Sequence, residues 1–125
     1  HTVIWYLYAD NRLSNTAKET IENAAAQGDN ILVSAITLVE MVYLIEKDRI
    51  AVESFTELAN AFSDPRNVFE VIPVNLSIAR TLSTIERVQI PDMPDRIIAA
   101  TAVQHHIPVI SRDHKIQDSR IQTIW

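Results

Sequence analysis

Three carboxylates are set apart by what surrounds them. Glu40 lies within Ser34-Ala35-Ile36-Thr37-Leu38-Val39-Glu40-Met41-Val42, with apolar residues on either side. Asp95 follows Pro94 and opens Arg96-Ile97-Ile98-Ala99-Ala100-Thr101-Ala102, while Asp113 closes Val109-Ile110-Ser111-Arg112-Asp113. Each acid stands where an apolar element begins or ends. Acids brought from separate elements to one edge of a parallel sheet form the oxygen donor set of a divalent cation. With no histidine or cysteine among them, they suit Mg²⁺ or Mn²⁺ over zinc. Mg²⁺ keeps several of its waters, so two or three carboxylates suffice for a site that opens on a phosphate. The chemistry indicated is metal-assisted phosphodiester hydrolysis.

Each acid also has a plainer explanation. Thr37-x-x-Glu40 has the spacing of a capping box, with Glu40 reaching back to the Thr37 backbone. Asp95 in a first helical turn is favoured by the helix dipole by about 0.3–1 kcal/mol, and Asp92 is placed to do the same. Asp113 suits a turn after a strand. Ser111 is placed to hold the Asp113 carboxylate, as groups behind a metal ligand do. Arg96 and Arg112 flank two of the acids and suit bidentate contact with phosphate oxygens. As ordinary solvated charges they would do nothing. His1, His105, His106 and His114 show no metal spacing. His105 and His106 fall where a helix C-terminus favours positive charge, and only His114 lies near the acids. Trp5, Tyr6 and Tyr8 fit a core.

The elements that position these residues follow from pattern. Ser14 is placed to cap a helix Asn15 to Gln27, stopped by Gly28, the single glycine of the chain. Ile31-Leu32-Val33-Ser34-Ala35 suits a strand buried on both faces. A helix follows from Thr37 through Lys47. Phe55, Leu58, Ala59 and Phe62 mark an amphipathic helix by their i, i+3, i+4, i+7 spacing. Phe69 to Val74 is a second strand, and Ile78, Leu82 and Ile85 line a helix ending before Pro91. Pro94 suits the first position of a helix Asp95 to His105. Pro108 to Ser111 and Ile121 to Trp125 complete the strands, while Thr2 to Tyr8 is apolar without choosing between strand and helix. Strands alternating with helices predict an α/β fold with a mostly parallel sheet, which binds ligands beyond the carboxyl ends of its strands.

Composition sets the outer bounds. A chain of 125 residues suits one domain, burying roughly two-thirds of its unfolded surface. The absence of cysteine fits a reducing cytoplasm. No apolar run is long enough to span a membrane, and no signal-peptide pattern opens the chain. A net charge of −5 argues against a generic basic surface for nucleic acid. It leaves room for a nucleic-acid enzyme whose clustered acids are compensated by bound cations.

Taken together, Val-Ser-Ala-Ile-Thr-Leu-Val-Glu ending at Glu40, Asp-Met-Pro-Asp-Arg-Ile-Ile-Ala-Ala-Thr-Ala from Asp92, and Val-Ile-Ser-Arg-Asp ending at Asp113 resemble a PIN-domain ribonuclease. The chain length and the Ile-Gln-Thr-Ile-Trp ending look most like the VapC-type toxins of type II toxin–antitoxin modules. The resemblance implies a three-layer α/β/α fold over residues 1–125. It further implies a cytoplasmic Mg²⁺- or Mn²⁺-dependent endoribonuclease, commonly a homodimer, held inactive by a cognate antitoxin protein. It makes Glu40, Asp95 and Asp113 the metal-site acids, with Ser34 and Ser111 as polar support and Asp92 in the motif without being a ligand. Family members open with a central strand ending in an aspartate, and His1 matches a position two residues beyond it. That strand and acid are therefore expected to lie outside the sequence, and a chain starting at His1 to bind metal weakly and cleave poorly. A catalytically silent module that binds a partner protein or RNA is the competing expectation. A phospho-acceptor receiver domain needs a lysine after the late buried strand, where this chain has Ser111-Arg112, and is set aside.

Overall fold

The structure, a computed structural model, describes residues 1–125. The apolar opening is a helix, α1 (Thr2–Leu7), which buries Trp5. In α2 (Asn15–Gln27) both predicted ends hold. The Ser14 hydroxyl accepts the Ala17 N–H at 3.1 Å, and Gly28 takes φ +76°, from which it and Asp29 donate back to Ala25 and Ala24. That left-handed turn suits glycine because it has no Cβ to clash. β1 (Ile31–Ser34) runs straight into α3 (Ala35–Glu46) without a loop. After α4 (Val52–Ser63), β2 (Phe69–Ile72) lies parallel to β1, in register from Ile31 opposite Phe69 to Ser34 opposite Ile72.

The second half begins with α5 (Leu76–Leu82), where the Asn75 side chain accepts the Ile78 N–H. α6 (Met93–His105) follows, then β3 (Val109–Ile110), a four-residue helix α7 (His114–Gln117) and β4 (Thr123–Ile124), parallel to β3. α7 carries no apolar repeat long enough to be visible in sequence. His106 ends α6 at φ +56°, a left-handed position that histidine tolerates better than most residues.

The expected parallel sheet is present as two separate pairs, β1–β2 and β3–β4. β1 and β3 face one another across a cleft of about 1350 Å³, walled by Ile31–Ser34 on one side and Val109–Ser111 on the other. The Val109 and Ser111 N–H groups pair with the carbonyls of Gln122 and Ile124, so the groups of Ile110 between them turn towards the cleft. The Thr2 hydroxyl donates to the Ile110 carbonyl at 3.0 Å. The accessible surface is 7923 Å², against roughly 6800 Å² for a compact chain of this mass.

Alternate strand residues feed two cores, as a pleated strand between two helical layers must. Val33 and Phe69 join Ile21, with Tyr6, Phe62 and Ile110 packed against them. Val109 joins Ile78, Ile85, Ile90, Ala99, Ala100, Ala102 and Ile116. Ala99 and Ala100 are wholly buried, which lets α6 lie close to β1, β3, α3 and α5. A larger side chain there has no room. Ala100→Leu is expected to cost about 1–3 kcal/mol, read as a lower urea midpoint with an unchanged m-value.

Candidate active site

α3 begins two residues earlier than the spacing predicts, because Ser34 rather than Thr37 is its N-cap and no side chain bonds the helix end. Thr37 is thus inside the first turn and Glu40 in the second. The capping-box explanation of Glu40 fails, and its carboxylate lines the cleft with no protein hydrogen bond. α6 also starts early. Asp92 is its N-cap, accepting the Asp95 N–H at 3.5 Å, and Pro94 occupies the second helical position rather than the first. The cap being filled, the Asp95 side chain is free to face the cleft.

Asp113 does two things. It caps α7, Oδ1 accepting from the Lys115 and Ile116 N–H groups at 2.8 and 3.2 Å, which leaves Oδ2 for another partner. Its turn role and its place in the cleft coexist. Ser111 does not hold this carboxylate. Its hydroxyl accepts the Asp113 backbone N–H at 3.0 Å, and so fixes the chain rather than the acid. Ser34 is buried beneath the cleft with its hydroxyl 3.4 Å from that of Thr101, a residue that no motif spacing singles out. A threonine inside an alanine-rich helix was the available signal.

The two flanking arginines part company. Arg96 is not placed to meet a phosphate. Its guanidinium donates to the Ile85 and Leu82 carbonyls at 2.9 and 3.3 Å, tying the start of α6 to the end of α5, and its Nε is buried without a partner. Arg112 is exposed on the cleft, over the Trp5 ring. His114 lines the same mouth, whereas His105 and His106 are exposed away from it.

Glu40, Asp92, Asp95 and Asp113 all line this one cleft. Burial, then the charges of Asp113, Asp92 and Glu40, push the Asp95 carboxyl up to about 6. Burial likewise raises Glu40, with Asp92 adding to the effect. No ion pair involves any of the four. Unspent, mutually repelling oxygen donors facing solvent fit a hard divalent cation such as Mg²⁺ or Mn²⁺. The acids flank the mouth without three of them converging on one point.

The sequence profile of the PIN domain matches residues 1–120, and the chain belongs to the PIN domain family. Two relatives sharpen that placement. The chain is 28% identical over 130 residues to ribonuclease VapC22 of Mycobacterium tuberculosis (strain ATCC 25618 / H37Rv), covering all of this chain and 94% of the relative. The crystal structure of VapBC2 from Rickettsia felis bound to a DNA fragment from their promoter shares its fold. That match has a TM-score of 0.69 at 18% identity and covers 98% of this chain and 93% of that one. No helix is long and apolar enough to cross a membrane.

The raised Asp95 has a consequence for stability. The folded protein holds a proton on Asp95 up to about pH 6, whereas the unfolded chain releases it near pH 4. Stability from this group is therefore full below about pH 4 and is lost as pH rises through 6. In EDTA at pH 8, Asp95→Asn is expected to melt about 4 °C above the parent, a value discounted for the half-exposed carboxyl. The difference should close at pH 4, which scanning calorimetry at both pH values measures.

Proposed function

We propose that this chain is the toxin of a toxin–antitoxin pair, a metal-dependent endoribonuclease in which Glu40, Asp95 and Asp113 hold Mg²⁺ or Mn²⁺. The observation that carries the reading is the gathering of these acids, unpaired and repelling, on one cleft of a PIN domain. The names of the relatives point the same way, one a ribonuclease and the other a VapBC complex. When bound, the ion would polarise the scissile phosphate and lower the pKa of a water.

The remaining work falls to the chain. α6 presents Asp95 from a first turn whose cap is already filled by Asp92. Asp113 is held by two backbone N–H groups that fix one oxygen and leave the other outward. Glu40 is carried by a helix that starts at the strand end, with no loop to blur its position. The supporting hydroxyls of Ser34 and Ser111 act on the backbone and the floor of the cleft. As part of the same reading, an extended segment seated between β1 and β3, with an acid at its carboxyl end, would join the two pairs into one sheet. The two facing strand edges support it. RNA is the substrate, the products carry 5′-phosphates, a cognate antitoxin is the regulator, the assembly is a homodimer and the compartment is the cytoplasm.

One observation favours a second reading, a catalytically silent module that binds RNA or a partner protein: no three acids converge on one point. Cleavage of a mixed RNA pool by the full-length gene product, with Mn²⁺ or EDTA, separates the two. The nuclease reading expects cleavage that EDTA abolishes. Asp95→Asn and Glu40→Gln should each lower it by more than the roughly 10–100-fold that changes behind a metal ligand cause. A folded protein that binds RNA equally well in EDTA and never cleaves it is the silent module.

A further inference from the structure

Of the eleven lysines and arginines in this acidic chain, only Arg12 and Arg112 line the cleft that holds the acids. They come from distant parts of the sequence to the same aromatic ring. The guanidinium carbons lie 5.1 and 4.8 Å from the centroid of Trp5, and so no more than about 10 Å from each other. Trp5 is buried, 6% exposed, with His1 and the edge of Trp125 against it. The ring is therefore a fixed mount for the two guanidinium groups, attracting both through its π-electrons. Their outer sides remain in solvent.

The two cations are not equally spent. Arg12 is paired with Asp10 through Nε and a terminal nitrogen, at 2.9 and 2.6 Å, though its side chain stays 57% exposed. Arg112 has no ion pair and no hydrogen bond, since the neighbouring Asp113 carboxylate is turned to the α7 backbone. With Arg12 already paired to Asp10, the unpaired Arg112 carries the charge that an anion in the cleft would meet. A guanidinium held against a ring also has less freedom to lose when its planar fork meets an oxyanion.

We propose that Arg112, with Arg12 beside it on Trp5, grips the backbone phosphates of single-stranded RNA next to the phosphodiester that the acids address. This rests on the nuclease reading and gives that site its substrate-holding rim. The pair acts as a positioning device: it binds phosphate bidentately, fixes the strand along the cleft and takes no part in bond breaking. The pair reads charge and spacing along the backbone, without reading the base.

Anisotropy of a fluorescein-labelled single-stranded RNA in EDTA, across a series of KCl concentrations, tests this on the full-length gene product. Arg112→Gln is expected to weaken binding about tenfold. It should also lower the salt slope by about 0.7 for each phosphate that is no longer neutralised. Arg112→Lys keeps the slope while binding less tightly, and Arg66→Gln, a distant exposed arginine, changes neither. With Mn²⁺ present, Arg112→Gln raises KM and leaves kcat in place. Unchanged affinity and slope in Arg112→Gln, with the parent still binding and cutting RNA, overturns this inference alone. A parent that neither binds nor cuts RNA overturns the nuclease reading and this inference with it. Lost binding of a polyglutamate peptide with RNA binding intact assigns the pair to a protein partner, and the inference falls.

Discussion

The architecture depends on how closely α6 can approach its neighbours. Ala99, Ala100 and Ala102 present almost no side-chain bulk, so the helix reaches β1, β3, α3 and α5 together. No hydrogen bond joins the two strand pairs, and α6 spans the division between them. Such an approach gains dispersion contacts on every side and tolerates little change in volume. It also fixes where the start of α6 stands, and that start carries Asp95.

Placing the acids carries an electrostatic cost that the fold meets by restraint elsewhere. Asp95 is half-buried among three other carboxylates, and no arginine or lysine is paired with any of them. Arg96, the residue next to Asp95, is turned away and anchored on the carbonyls of Leu82 and Ile85. That anchor satisfies the end of one helix and keeps a cation from neutralising the acids. The repulsion among these acids is thus left for something outside the chain to relieve.

Much of this was legible from the chain because local chemistry decided it. Ser14 and Gly28 bracket α2 because a hydroxyl cap and a left-handed glycine satisfy helix ends with few alternatives. The three acids were legible for a similar reason, being polar residues at the limits of apolar runs. Where sequence and structure differ, the deciding forces were not local. Thr37 and Glu40 have capping spacing, but β1 passes straight into α3 and carries the helix start back to Ala35. Pro94 marks a helix start as well as Asp92 does, and only the geometry shows which residue caps. The destination of Arg96 depends on α5, eleven to fourteen residues away. The meeting of Arg12 and Arg112 on Trp5 joins positions a hundred residues apart, beyond the reach of any periodicity.

The parting of the strands into β1–β2 and β3–β4 has a temporal meaning. Synthesis proceeds from the amino end, so Glu40 and its strand pair are complete once β2 has emerged. Asp95 follows with α6, and Asp113 emerges only after β3. No growing chain can hold the acids from both sides of the cleft until β3 has followed β1. Whatever depends on both sides of the cleft must therefore wait until both strand pairs have emerged.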